Sequence, residues 1–139
     1  MFQPPSAPPL VVMSLTKRLV AMNAHTGQRV WEYETGGSFD GRLFVEQGLV
    51  LYTGYGGIVC LDYLTGAVRW KAKLPGTLGI VEARMIVFAG CVIAVGMGEA
   101  VCLNVQTGLQ IWHDPFKGYG SGSGAIAAPG VAAQIDKHG

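Results

Sequence analysis

Charge is scarce in this sequence. Only 14% of its 139 residues are Asp, Glu, Lys or Arg, 50% are hydrophobic, and the formal net charge is +1. Such a balance offers no electrostatic footprint for nucleic acid or an anionic membrane. So little charge also predicts that another chain covers part of the apolar surface. Long apolar runs are missing as well. The longest charge-free apolar stretch, Met85 to Gly98, is too short to span a bilayer and is broken by Gly90, Gly96 and Gly98. The first ten residues carry Pro4, Pro5, Pro8 and Pro9 but no basic residue, so the charged and apolar regions of a secretory signal are not found there. Cysteine is limited to Cys60, Cys91 and Cys102, an odd number with no C-x-x-C. That usage predicts reduced thiols and a cytoplasmic location, or a place in a cytoplasmically assembled particle.

The side chains that carry catalysis are sparse and scattered. His25, His113 and His138 stand at no metal-ligand spacing and read as ordinary surface residues. The carboxylates show no pairing suited to general acid–base work; Glu99 begins a strand, and Asp40 and Asp114 read as loop residues. Gly118 to Gly124 lacks the Lys and the strand-to-helix setting of a phosphate-cradling loop and reads as a flexible tether. No catalytic, cofactor-binding or metal-ligating residue is therefore assigned.

What the sequence does contain is a repeat. Windows starting at Leu10, Leu49 and Cys91 align without a gap and end at Trp31, Trp70 and Trp112, tryptophans that stand 39 and then 42 residues apart. That period suits a four-stranded propeller blade. Asn23, Asp62 and Asn104 fall at one position, Thr26, Thr65 and Thr107 at a second, and Gly27, Gly66 and Gly108 at a third. Each has a mechanical reason. The Asn or Asp bonds the backbone of the turn that follows. The Gly supplies the positive φ of a tight hairpin. The Trp fills the gap between neighbouring blades, and its indole N–H needs a partner. All three rings are expected to be equivalent and buried. Cys60 and Cys102 share a position with Ala21, which reads as a small core site with no disulfide.

A further strand precedes two windows: Arg42 to Val45 matches Arg84 to Val87. The corresponding place before the first window is Gln3 to Pro9, where proline forbids a ladder, so the first blade lacks its first strand. Ala125 to Ile135 is the candidate replacement, a single strand adding to the edge of blade one in the same chain or a partner. The organisation is then a Pro-rich segment at 1–9, three repeats at about 10–36, 37–75 and 76–116, a tether at 117–124 and a closing strand and tail at 125–139.

Val59 to Trp70 (VCLDYLTGAVRW), Val101 to Trp112 (VCLNVQTGLQIW) and Val20 to Trp31 (VAMNAHTGQRVW) resemble the repeat of the PQQ-like (pyrroloquinoline-quinone enzyme type) β-propeller family over roughly residues 10 to 115. The resemblance implies an all-β propeller. Its relatives include quinone-dependent alcohol dehydrogenases and an outer-membrane assembly lipoprotein. The dehydrogenases have about eight blades and often adjacent cysteines over the quinone; here three blades are read and no two cysteines adjoin. The fold carries over and no active-site residue does. Three blades are too few to close, since propellers use about four to eight, so the expectation is a homodimer forming a six-bladed ring. The function expected is a non-enzymatic scaffold or interaction protein without a cofactor, its partner itself or other protein subunits. The rival readings are a propeller that binds a sugar or peptide, through Tyr55, Tyr63 and Tyr119, and a remnant of a quinone-dependent dehydrogenase.

Overall fold

In the computed structural model, residues 9–35, 42–54, 57–76, 83–120, 122 and 124–133 are described. Every element among them is a β-strand. Blade one holds β1 (Leu10–Leu15), β2 (Arg18–Asn23) and β3 (Arg29–Glu34). Blade two holds β4 (Arg42–Glu46), β5 (Leu49–Gly54), β6 (Gly57–Asp62) and β7 (Val68–Lys73). Blade three holds β8 (Arg84–Phe88), β9 (Cys91–Gly96), β10 (Glu99–Asn104) and β11 (Gln110–Asp114). Each blade is an antiparallel sheet in chain order. Gln3 to Pro8, the proline stretch read as unable to form a strand, lies outside the described residues; the described sheet of blade one has three strands.

The period-2 rule divides each blade between two neighbours. On β5 of blade two, Val50 and Tyr52 join Leu19, Ala21 and Trp31 of blade one in one buried cluster. Leu49 and Leu51 turn the other way and join Met85, Val92, Val101 and Leu103 of blade three in a second. A sheet covered on both faces needs strands apolar on both faces, as in β6 and β10. The repeat extends to a defect: the ladder between the third and fourth strand positions shifts register at Ala21/Met22, Cys60/Leu61 and Cys102/Leu103. This bulge re-aims each blade's last strand just before its tryptophan.

Residues 125–133 correct the expectation of one strand closing blade one within the chain. They form a hairpin, β12 (Ile126–Ala128) and β13 (Val131–Ala133), which lies against β8 of blade three. The cause is the Pro129–Gly130 pair. Gly130 has φ +84°, as Gly48 (+81°) and Gly90 (+76°) have at the same place in their blades. The segment is thus the opening of a fourth blade, with β12 at the position of β4 and β8, and β13 at that of β5 and β9.

Candidate functional site

The most constructed feature of the molecule is the seat that one blade offers to the tryptophan of the blade before it. It begins with the turn. The Asn23 side-chain oxygen accepts from the N–H of His25 and Thr26 at 2.8 and 3.2 Å, Asp62 from Leu64 and Thr65 at 2.9 and 3.0 Å, and Asn104 from Gln106 and Thr107 at 2.8 and 3.2 Å. The hydroxyls of Thr26, Thr65 and Thr107 each accept the backbone N–H two residues on, at 3.2 Å. The N–H of Gly27, Gly66 and Gly108 then donates back to the carbonyl of Asn23, Asp62 and Asn104. Burial disfavours the Asp62 carboxylate, but the Thr65 and Leu64 N–H bonds outweigh it and hold its pKa below the ordinary range.

Onto this turn the preceding blade lowers its ring. Trp31 lies on Gly66 so closely that a Cβ there would meet ring atoms at 2.6 Å, and a Cβ on Gly108 would meet the Trp70 ring at 2.4 Å. The indole N–H of Trp31 donates to the Tyr63 carbonyl and that of Trp70 to the Val105 carbonyl, both at 2.8 Å. Tyr63 and Val105 each follow the Asp or Asn of their turn, so seat and partner belong to one motif. Glycine is required here twice over, for its φ (+76° at Gly66, +74° at Gly108) and for room.

The third ring is not equivalent to the other two. Trp31 and Trp70 are each 8% exposed, whereas Trp112 is 43% exposed. The local sequence is the same; what differs is the neighbour. The hairpin β12–β13 covers the inner part of that face, and no described turn reaches the outer strand where Trp112 lies. At the opposite end Gly27 has nothing within 4 Å of the place a Cβ would take. The face of blade one turned away from blade two holds a concavity of about 710 Å³ lined by Met13, Leu15, Val20 and Met22, with Arg18 and Glu32 paired at 3.3 Å beside it.

Of the tyrosines named as ligand candidates, the two that are described, Tyr63 and Tyr119, do not gather into a site. Tyr63 packs against the cluster between blades one and two, and its hydroxyl both donates to the carbonyl and accepts from the N–H of Leu10 at 2.9 and 2.8 Å, clamping the start of β1. Tyr119 is exposed and meets Phe116 edge-on at 5.5 Å. Tyr55 lies outside the described residues. A groove of about 210 Å³ between blades one and two is lined by Tyr33, Tyr52, Ile58 and Lys71, with the Lys71 ammonium 6.0 Å from the Tyr33 ring centre. His113 is half-buried rather than a surface residue, and its Nε2 lies 2.8 Å from a buried Glu99 oxygen. Sequence spacing hid this pair because the two residues meet across the β10–β11 ladder.

The three cysteines are free. Burial pushes the Cys60 thiol up to about 11, against a smaller lowering by Arg69. Burial, with a hydrogen bond to Cys91 next, does the same to Cys102, also to about 11. The thiolate is the reactive form, so at neutral pH a maleimide or disulfide reagent is expected to label Cys60 and Cys102 quickly only after denaturation. Mass spectrometry showing both labelled within seconds in native protein, or bridged to each other, would contradict this placement.

Stacked four-stranded antiparallel blades, joined by a Trp seated on the Gly of the next turn, define a β-propeller of the PQQ-like repeat type. The chain belongs to the family described as Outer membrane protein assembly factor BamB, whose match runs over residues 6–133. No curated protein sequence matches. Among solved structures it is similar to BamB from Moraxella catarrhalis, at 24% identity and a TM-score of 0.62, over 77% of this chain and 34% of that one. The quinohemoprotein alcohol dehydrogenase of Comamonas testosteroni matches at 20% identity and a TM-score of 0.63, over 76% and 19%. The computationally designed Ika8 protein matches at 16% identity and a TM-score of 0.68, over 91% and 39%. The chain therefore spans about a third of the BamB structure and about a fifth of the dehydrogenase.

Proposed function

We propose that this chain is a non-catalytic propeller scaffold that acts through protein–protein contact and self-assembles through its unfinished ends, as a homo-oligomer or as a subunit of a larger particle, in a reducing, cytoplasm-like compartment. The observation that carries this reading is the outer strand of blade three, where Trp112 is exposed while the equivalent Trp70 is sealed, and Leu109, which immediately precedes that strand, is exposed too. Apolar residues grouped at the end of a repeat array mark an interaction surface. A family described as an assembly factor supports the same class of role.

The quinone chemistry of the dehydrogenase relatives finds little support. Among the described residues no three of His, Cys, Asp and Glu gather as a metal ion would require. Two measurements test the proposal together. Mass by sedimentation across a wide concentration range is expected to rise from the 14.7 kDa of one chain to a defined oligomer. Titration with pyrroloquinoline quinone and Ca²⁺ is expected to leave no bound chromophore. A monomer at every concentration, or a stoichiometric chromophore, would sink the reading.

A further inference from the structure

We propose that the groove between blades one and two receives a carboxylate side chain of a partner polypeptide, held by the Lys71 ammonium beside the Tyr33 ring. This deepens the scaffold reading above and rests on it. The molecule carries its own template for the contact at the next joint. Between blades two and three, Glu99 opens β10 and is 9% exposed. Its carboxylate lies 2.8 Å from His113 Nε2, and Gly76, in the connection from blade two, packs directly on its oxygens. His113 stands opposite Val101 across the β10–β11 ladder, and Val101 belongs to the cluster that blade three shares with blade two. The pair therefore faces the preceding blade.

The joint between blades one and two has the same places and different residues. Lys71 follows Trp70 as His113 follows Trp112. It stands opposite Val59, which packs on the cluster shared with blade one. Gly57 opens β6 where Glu99 opens β10. The cationic half of the pair is present and the carboxylate half is not. Blade two cannot supply it from that position, because a Cβ on Gly57 would meet the Ala72 carbonyl oxygen at 2.7 Å. The groove of about 210 Å³ lies there instead. No ion pair among the described residues includes Lys71. Its ammonium has the Tyr33 ring at 6.0 Å, the outer limit of a cation–π contact, which engages none of its N–H donors with an acceptor. Tyr33 and Tyr52 stand at the repeat positions of Ala72 and Ala94, so aromatic walls flank the groove where the other joint has methyl groups. Such walls cover the methylene stem of a Glu side chain while the ammonium meets its head. The volume falls below the ~300–1,000 Å³ of small-molecule pockets, so the groove suits one side chain rather than a whole ligand. The template, itself a glutamyl side chain, points to the same occupant.

The test uses NMR on the full chain and the blocked peptide acetyl-Gly-Glu-Gly-amide, with acetyl-Gly-Gln-Gly-amide and free propionate as comparisons. The Glu peptide is expected to shift the signals of Tyr33, Val59 and Lys71 saturably. The Gln peptide, which lacks the charge, is expected to bind at least about 10-fold more weakly. Lys71→Gln is expected to lose at least about 10-fold, Lys71→Arg to keep most of the affinity, and Lys117→Gln, which removes the same charge elsewhere, to lose none. Both lysines are exposed, so all three variants are expected to keep the parent's melting curve. Equal binding of the two peptides, or undiminished binding to Lys71→Gln, would overturn the site. Propionate bound as tightly as the Glu peptide would replace the polypeptide with a small carboxylate and overturn the proposal too. Either failure leaves the sedimentation and chromophore results, and with them the scaffold reading, untouched.

Discussion

Replacing Trp70 by Ala is expected to cost about 3–5 kcal/mol of folding stability, while the same change at Trp112 leaves the isolated chain close to its parent. The two residues hold the same repeat position and differ in what lies over them. Trp70 is 8% exposed and its N–H reaches the Val105 carbonyl at 2.8 Å. Removing the ring opens a cavity between blades two and three and strips that carbonyl of its donor, so a transfer loss, a void and a polar loss fall together. For a chain of this length the drop in Tm is on the order of 10–20 °C. Trp31→Ala is expected to match it, because Trp31 is equally buried and bonded. Trp70→Phe is intermediate, since it keeps an aromatic ring but loses the N–H and part of the indole, and a cost of about 2 kcal/mol is expected. Melting of the five proteins, run where the chain is monomeric, is the check. Equal losses at all three tryptophans would mean that Trp112 is seated within the monomer.

The contrast shows what the sequence made legible. Blade order, the Asn/Asp–Thr–Gly turns and the strand pattern follow from local chemistry: an Asx acceptor two and three residues ahead of its donors, a glycine with φ near +75°, alternating apolar residues. Such signals need no distant neighbour. The burial of a tryptophan does. VCLNVQTGLQIW carries every mark of a seated ring, yet Trp112 is exposed because the seat belongs to the next Asn/Asp–Thr–Gly turn, and none follows among the described residues. Ala125 to Ala133 is weak for another reason. Its small side chains give little periodic signal, and Pro129–Gly130 reads as an interruption until the positive φ of Gly48, Gly90 and Gly130 is seen at one place in three blades. The Glu99–His113 pair and the Tyr63 clamp on Leu10 depend on register and on blade-to-blade packing. Spacing along the chain does not encode either.

The three turn glycines allow a sharper experiment than the tryptophans, because one substitution can be placed in three settings that differ only in the ring above. Ala at Gly27, Gly66 or Gly108 meets the same backbone penalty, since φ lies at +74°, +76° and +74°. A left-handed Ala costs roughly 1–2 kcal/mol. At Gly27 that is expected to be the whole effect, because the new methyl meets nothing within 4 Å. At Gly66 and Gly108 the methyl enters the Trp31 and Trp70 rings at 2.6 and 2.4 Å. The indole cannot slide aside without stretching its 2.8 Å bond to the next turn, so overpacking adds about 1–3 kcal/mol. The expected order under monomeric conditions is a small loss at Gly27 and a loss of about 2–5 kcal/mol in total at Gly66 and Gly108. Identical losses at the three positions would show that the rings yield freely and that the seats contribute nothing to blade stacking.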